Sequence, residues 1–222
     1  MEIYNTQIDT RLVAEMIMRP RVAISADGAW MHAKTALAAV AALRAAGAAR
    51  RVLVVAQKKD LCWWYVPWDR SVVGVEGPPS ERREALAGGK DGVYAISMAS
   101  IAWLVRECHG PGFDTIIIDR VPGRKSAAWQ VLSGLCRAAA RVIILDDVPD
   151  AQELWGRVYL LDGGQRLGET IDEYRDRWFV PVVYHEGYVW DWRVIKGADK
   201  IIADAVRDVC IRIRVKEGVT AA

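Results

Sequence analysis

Five short runs rich in β-branched residues alternate with segments of helical character, and this alternation leaves few possible folds. The candidate strands are Val22–Ser25, Val52–Ala56, Val93–Ser97, Thr115–Asp119 and Val142–Leu145. Candidate helices lie between them at 34–46, 101–108 and 126–139. Strand-like runs without strict polar alternation suit strands buried on both faces. The order predicts an α/β fold with a mostly parallel sheet and right-handed crossovers.

The remaining segments predict loops around the sheet and a different C-terminal architecture. The glycine- and proline-containing stretch 74–92 is expected to form a loop, a short charged helix and a second loop. After Leu145 we expect helices at Asp150–Leu161, Ile171–Trp178 and Ala198–Val209, with a hairpin of Val182–Tyr184 and Tyr188–Trp192. We therefore divide the chain into an α/β core, 1–150, and a helical and hairpin extension packed on it, 151–222.

Composition excludes several classes of protein. The chain has 222 residues and a 52% apolar fraction, enough for one sizeable domain or a domain with an appendage. A net charge of only +2 does not by itself indicate a nucleic-acid binder, although a local basic face stays possible. Four cysteines without a Cys-x-x-Cys pair predict reduced, mostly buried thiols. We find no signal peptide or membrane-spanning stretch, and therefore expect a soluble cytoplasmic protein.

A phosphate-loop motif that lacks one of its glycines lies between the first candidate strand and the helix that follows it. Residues 28–35 read Gly-Ala-Trp-Met-His-Ala-Lys-Thr, whereas the motif requires glycine at the position of Ala33. Gly28 and the loop backbone would surround a phosphate, Lys34 would contact the outer phosphates, and Thr35 would bind Mg²⁺. An added Cβ at residue 33 costs about 1–2 kcal/mol if the backbone there is left-handed. An ordinary strand–turn–helix with a chance Lys-Thr pair is an equal alternative.

A second candidate element is Asp119, which ends the apolar run Thr115–Asp119 about 85 residues after Lys34. An acidic residue at the carboxyl end of a buried strand is the Walker B arrangement, in which it holds Mg²⁺. The next position normally carries a glutamate that deprotonates the attacking water, but here it is Arg120, which cannot do so. The alternative is a helix cap or an ordinary loop residue.

Weaker candidates have structural explanations that we favour. Asp146 and Asp147 follow another candidate strand. We favour two solvated carboxylates there over metal ligands by about two to one. The aromatic run 63–65 is expected to pack on the sheet, with base stacking at about one chance in four. The basic residues Arg120, Arg124 and Lys125 are a candidate contact for a DNA backbone, and a solvated loop is at least as good an interpretation. The three histidines lack metal-ligand spacing.

Longer segments resemble the N-terminal RecA-like lobe of phage-type Swi/Snf helicases, within helicase superfamily 2. The resemblance covers nearly the whole chain in order and spacing. Arg51–Ala56 resembles the strand of helicase motif Ia. Lys125-Ser126 resembles part of the segment that follows the Asp-Glu pair of the family's Walker B motif. The most specific part is 150–168, which contains Leu-Trp, Leu-Leu-Asp and Leu-Gly, followed by Tyr174–Phe179.

This resemblance implies a RecA-like P-loop three-layer sandwich, ATP and Mg²⁺ as cofactors, and translocation on double-stranded DNA. Lys34, Thr35 and Asp119 match the family's motif residues, whereas Ala33 and Arg120 replace its glycine and glutamate. Asp146-Asp147-Val148 replaces a Thr-Gly-Thr type turn, with Pro149 kept. The resemblance also implies a partner, which is a second RecA-like lobe carrying the arginine finger or another phage replication protein.

Three functions remain open at this point. The first is an ATP-dependent translocase lobe, which would be a nucleoside-triphosphate hydrolase. The second, which we favour on mechanism, is a degenerate lobe that binds Mg²⁺-ATP weakly and hydrolyses it poorly or not at all. Its alternative is a non-catalytic DNA- or protein-binding adaptor derived from such a lobe. Loss of a general base costs about 10²–10⁴-fold in rate. The third is a structural module without a ligand.

Overall fold

A computed structural model describes residues 9–26, 32–65, 72–108, 112–183 and 189–213. Its centre is a seven-stranded sheet in which every strand pair is parallel, in the order β3-β4-β2-β5-β6-β1-β9. The strands of this sheet are β1 Arg21–Ala26, β2 Arg51–Ala56, β3 Val72–Gly74, β4 Gly92–Ser97, β5 Thr115–Asp119, β6 Arg141–Asp146 and β9 Cys210–Ile213. Strands β7 Phe179–Val183 and β8 Val189–Val194 form a separate antiparallel pair.

Eight α-helices surround the sheet in the part of the chain that the structure describes. They are α1 Thr10–Met18, α2 His32–Ala45, α3 Pro79–Leu86, α4 Ile101–Cys108, α5 Ala127–Ala138, α6 Ala151–Asp162, α7 Ile171–Trp178 and α8 Ala198–Val206. Several begin at a polar cap whose side chain accepts a backbone N–H of the first turn, as Asp9, Ser126, Asp150 and Thr170 do. A 3₁₀ turn, Leu61–Trp63, follows β2.

The helices form one layer on each face of the sheet, because residues of each central strand point alternately to opposite faces. Val52, Val54, Ile117 and Ile143 pack with α1 and α2. The neighbouring residues Leu53, Ile116, Ile118 and Ile144 pack with α4 to α6 and α8. Central strands buried on both faces explain the continuous apolar runs of the sequence.

Aromatic residues account for much of the second layer. Trp129 of α5 and Trp155 of α6 are buried with ring centroids 5.8 Å apart, and Tyr159 lies against both. The two indole N–H groups donate to the carbonyl oxygens of Gly156 and Gly168. Tryptophan combines large apolar area with one donor, so these rings pack helices together without leaving a buried polar group unpaired.

The α/β prediction and its parallel sheet are confirmed. All five predicted strands form, with ends that differ by at most one residue, and helices 101–108 and 171–178 have the predicted bounds. The hairpin starts earlier than predicted, at Phe179, while Tyr184 and Tyr188 lie outside the described residues. Helix α8 ends at Val206, three residues before the predicted end.

The sequence interpretation missed helix α1 and strands β3 and β9. Strand β3 has only three residues, and β9 reads Cys-Ile-Arg-Ile, too short and too mixed to be distinguished from a loop. Both depend on pairing with a long neighbour, β4 and β1 respectively. Strand β9 comes from the predicted extension, 151–222, yet it belongs to the central sheet. The division at residue 150 stays a prediction about domain organisation.

The expectations about buried cysteines and membrane-spanning segments can be compared with the described residues. Cys136 is buried and Cys210 half-buried, but Cys62 is exposed, so burial does not extend to every thiol. None of the described helices has the length and apolar character needed to cross a bilayer.

Candidate functional site

The site is built at the edge of the sheet where β1, β6 and β5 end. From β1 the chain passes to β2 on the α2 face, whereas from β6 it passes to β9 on the opposite face. Loops that leave adjacent strands toward opposite faces open a crevice at the carboxyl edge, where open α/β sheets bind ligands. In register, Leu145 is paired with both Ile24 and Asp119. The ends of β1 and β5 are therefore two strand spacings, roughly 10 Å, apart.

Three of the predicted phosphate-loop residues lie in the first turn of α2, which follows β1. Ala33 and Thr35 are buried and Lys34 is half-buried. The Thr35 hydroxyl accepts a long hydrogen bond, 3.5 Å, from the backbone N–H of Asp9, the residue that caps α1. Gly28 lies outside the described residues, so the loop that would surround a phosphate stays a prediction.

Asp119 is the last residue of β5 and is 7% exposed. Its Oδ2 accepts a 2.8 Å hydrogen bond from the indole Nε1 of Trp64, a fully buried residue just after the 3₁₀ turn. Burial raises the pKa of Asp119 from its ordinary value of 3.8 to about 6. The Trp64 bond opposes this rise because it favours the carboxylate, while Asp60 and Asp146 add repulsion.

Asp60 contributes a further buried oxygen to this acidic environment. Its Oδ2 is inaccessible to solvent and has no hydrogen-bond partner. No group of three His, Cys, Asp or Glu side chains in the described ranges has an arrangement that could hold a metal ion on its own. A divalent ion at this edge would therefore depend on few protein oxygens.

The donor set still fits a largely hydrated Mg²⁺, which usually keeps several waters and takes one or two carboxylates plus substrate phosphates. Of the two Asp119 oxygens, Oδ2 accepts the hydrogen bond from Trp64. A hydrogen bond to one oxygen of a ligating carboxylate is a common way to fix its orientation. Trp64 therefore orients Asp119 through one of its two carboxylate oxygens.

Arg120 has the left-handed backbone conformation, with φ of +67°, alone among the non-glycine residues that the structure describes. Its N–H donates to Leu145 O at 2.8 Å, which extends the β5–β6 pairing past the strand end. Its side-chain Nε is buried without a hydrogen-bond partner. The guanidinium also lies close enough to Asp119 to lower its pKa. An arginine therefore occupies the region beside Asp119 under backbone strain.

Asp146 differs from the favoured expectation of two solvated acids. Asp147 is exposed as expected, but Asp146 is 6% exposed and forms a buried ion pair with Arg157 of α6 at 2.8 Å. Asp146 also accepts the backbone N–H groups of Val121 and Asp147. The carboxylate thus joins the ends of β5 and β6 to α6, which is a structural role.

The predicted basic residues separate into two environments. Arg124 is half-buried and Lys125 exposed in the loop between β5 and α5, and both line a pocket that Arg175 of α7 also lines. Arg120, predicted in the same cluster, instead has its Nε buried near Asp119. Arg175 was not singled out from the sequence because only the packing of α7 beside that loop brings it to Arg124.

Comparison with known proteins shows the fold. The SWI2/SNF2 ATPase core of Sulfolobus solfataricus in complex with double-stranded DNA superposes with a TM-score of 0.72 at 12% identity, over 98% of this chain and 47% of that one. This chain has a RecA-like α/β fold. The DNA-free S. solfataricus core domain superposes equally well over 96% of this chain and 45% of that one, again at 12% identity. A fragment of a putative HsdR subunit from Vibrio vulnificus YJ016 reaches a TM-score of 0.48 at 18% identity, over 77% and 31% of the two chains.

The RecA-like lobe thus spans less than half of the length of the S. solfataricus chains. No family model matches the sequence, and no curated protein matches it either. At 12% identity the likeness concerns the fold, and what the lobe binds has to be argued from its own residues.

Two contacts at the RecA-like lobe's carboxyl edge were not predicted. Trp64 was expected to pack on the sheet, and it does, but its bond to Asp119 has no signal in the local sequence. Arg157 lies in segment 150–168, the most specific part of the resemblance described above. Its pairing with Asp146 likewise depends on how α6 docks on the end of β6.

Proposed function

We propose that this chain is the N-terminal nucleotide-binding lobe of a Snf-type DNA translocase, in a degenerate form. In this form it binds Mg²⁺-ATP weakly and hydrolyses it poorly or not at all. The observation that carries the proposal is the strand order: β1, β6 and β5 are adjacent and parallel. The helix that contains Lys34 and Thr35 therefore follows a strand two places from the one that ends in Asp119.

Each residue has a defined part in this proposal. The Lys34 ammonium contacts the outer phosphates, and the first turn of α2 offers N–H groups and a favourable dipole to the same anion. Thr35 and Asp119 are the Mg²⁺ ligands, directly or through water, and Trp64 orients Asp119. Bound Mg²⁺ would neutralise negative charge on the phosphates.

Arg120 is the main reason to propose impaired hydrolysis. A guanidinium stays protonated at every physiological pH and so cannot accept a proton from water. The missing base costs about 10²–10⁴-fold in rate. Arg120 supplies a positive charge instead, which suits retention of an anion better than turnover of one.

The partners follow from the same assignment. We propose double-stranded DNA as a partner, together with a second RecA-like lobe or another phage replication protein, in the cytoplasm of the host cell. A second lobe would supply the arginine that stabilises charge in phosphoryl transfer.

The alternative is an adaptor derived from a helicase lobe, which binds DNA or protein without a nucleotide. It is favoured by the contact between Thr35 and Asp9, because the hydroxyl that would bind Mg²⁺ already accepts a long hydrogen bond of 3.5 Å. A structural module with no ligand is the remaining possibility.

A titration of Mg²⁺-ATP, and of a slowly hydrolysed analogue, into the purified chain separates these functions. We expect micromolar binding that is lost in Lys34→Ala and kept in Lys200→Ala, a matched exposed lysine on α8. Absence of binding at millimolar nucleotide would leave only the adaptor and structural functions.

Hydrolysis is measured separately, with and without duplex DNA. We expect little turnover, and a combined Ala33→Gly, Arg120→Glu variant should gain activity only when a second lobe is supplied. Saturable, DNA-stimulated turnover by the unmodified chain would contradict the degenerate assignment while leaving the translocase lobe in place.

A further inference from the structure

A second polar site lies beside the loop that follows β5. This pocket, which we call the Arg124 pocket, has a volume of about 520 Å³ and lies between that loop and helices α5, α6 and α7. Four cationic residues line it: Arg124, Lys125, Arg157 and Arg175. Two acidic residues, Asp150 and Glu153, also line it.

The charges of this pocket do not balance internally. Arg157 is committed to Asp146 at 2.8 Å and to Glu153 at 3.3 Å. Asp150 accepts the backbone N–H of Glu153 as the cap of α6. Within the described ranges, none of Arg124, Lys125 and Arg175 forms a salt bridge. Three positive charges therefore line this cavity without a carboxylate in salt-bridge contact.

Arg175 is held in this position by packing. Its guanidinium lies over the Trp192 ring, 4.9 Å from the centroid, and its buried Nε has no hydrogen-bond partner. Burial and the nearby Arg124 lower the pKa of Arg175, and the carboxylate of Asp172 opposes them. Two like charges kept close, one with an unused buried donor, are stabilised when an anion enters between them. A phosphate fits this arrangement because guanidinium groups bind its oxygens in pairs.

The antiparallel hairpin extends the pocket toward an exposed aromatic ring. Gln152, on the pocket wall, donates to Asp191 Oδ1 at 2.8 Å and to Trp192 O at 3.1 Å, which ties β8 to the pocket. Trp190 lies two residues before Trp192 on β8, about 7 Å away along the strand, where the pairing with β7 shifts register. Its side chain is 81% exposed, which is unusual for a tryptophan.

We propose that the Arg124 pocket and Trp190 together bind an unpaired nucleic-acid strand. A backbone phosphate contacts Arg124, Lys125 and Arg175, and a neighbouring base stacks on the Trp190 ring. A cationic groove beside an exposed ring is the general arrangement for single-stranded binding, because every base has a face that stacks. A duplex offers its phosphates but keeps its bases stacked inside, so it would use the cations alone.

This inference rests on the DNA partnership proposed above, and it gives the lobe an unpaired strand to bind in addition to the duplex. It does not require Lys34, Asp119 or a bound nucleotide. The ATP titration and the DNA measurement can therefore fail independently, and a Lys34→Ala variant should bind the strand as the unmodified chain does.

The test is fluorescence anisotropy of a labelled oligothymidylate and of a blunt duplex of the same length, titrated with the full chain at several salt concentrations. We expect Trp190→Ala to weaken binding of the single strand by about tenfold, since one stacked base contributes about 1–3 kcal/mol. The same variant should leave duplex binding within about twofold. Arg124→Gln and Arg175→Gln should weaken both and reduce the salt slope by about one unit each.

Matched controls separate these effects from loss of structure or of total charge. Trp63→Ala removes another exposed tryptophan, and Lys200→Gln removes a surface charge on α8; both should bind the single strand as the unmodified chain does. Among the described residues, Arg124 has no ring contact like that of Arg175 with Trp192. Arg124→Gln therefore keeps the test valid if Arg175→Gln unfolds. The inference is overturned if the strand does not bind, if the duplex binds more tightly, or if Trp190→Ala and Trp63→Ala behave alike.

Discussion

The indole Nε1 of Trp64 donates a 2.8 Å hydrogen bond to Oδ2 of Asp119, and both side chains are buried at the carboxyl edge of the sheet. One residue follows β2 and the other ends β5, and these two strands are neighbours. The bond therefore joins a structural tryptophan to the carboxylate that the proposed nucleotide site requires. Stability and Mg²⁺ binding should both depend on it.

Replacing Trp64 with phenylalanine should destabilise the fold. Phenylalanine keeps most of the buried apolar area but leaves Oδ2 of a buried carboxylate without its donor. Hydrogen bonds to charged groups contribute about 1.5–3 kcal/mol, and the loss should be of that size. Urea unfolding at pH 8 measures it. Trp63→Phe, at a residue 56% exposed, serves as the control, and an equal loss in both variants would contradict the assignment.

Asp119 should give the fold a specific dependence on pH. Its pKa is raised from 3.8 to about 6 in the folded state, so the folded protein binds the proton more tightly than the unfolded chain does. The contribution is fully present below pH 3.8 and is lost as the pH rises through about 6. In Asp119→Asn this dependence should disappear, with a gain on the order of 3 kcal/mol at pH 8.

The measurement for Asp119 is chemical unfolding of both proteins between pH 4 and pH 8. Asparagine can still accept the Trp64 N–H, so the hydrogen bond is preserved. The control is Asp147→Asn, which changes an exposed carboxylate just after β6. This variant should keep the pH dependence of the unmodified chain. A less stable Asp119→Asn at pH 8 would be evidence that the ionised carboxylate is stabilising.

Loss of the Arg157 guanidinium should be much more damaging than loss of an exposed one. Arg157→Met leaves Asp146 buried with only backbone donors, and breaking a buried pair from one side costs about 3–5 kcal/mol. Arg83→Met breaks a surface pair with Glu107 and should cost at most about 1 kcal/mol. Thermal unfolding at neutral pH compares the two variants. Similar midpoints would show that the Asp146 pair is solvated.

Because the backbone at Arg120 is strained, a glycine variant there should be more stable than an alanine variant, which is the reverse of the usual order. At φ of +67° the alanine variant keeps the steric penalty that glycine relieves, so Arg120→Gly should be about 0.5–1 kcal/mol more stable than Arg120→Ala. In helix α8, Lys200→Gly should instead be about 1 kcal/mol less stable than Lys200→Ala. Urea unfolding of the four variants tests the sign. Equal stability of the two residue-120 variants would exclude strain there.

Much of the fold could be predicted because its elements are local. The β-branched runs that are buried on both faces predicted five strands of the sheet, and their alternation with helices predicted that they are parallel. Asp119 at the end of its run was predicted from the same pattern. Strands β3 and β9 escaped prediction because three or four residues carry too little periodicity, and they exist only through their partners β4 and β1.

The sequence by itself determined the parallel α/β sheet and the positions of Lys34, Thr35 and Asp119 next to the ends of their strands, because hydrophobic periodicity and strand ends are read over a few residues. Only the tertiary structure decided that Trp64 holds Asp119, that Asp146 is buried against Arg157, and that Arg175 lies beside Arg124. The first of these pairs joins residues 55 positions apart. Such contacts depend on strand order and helix docking, which the whole core specifies and no single segment contains.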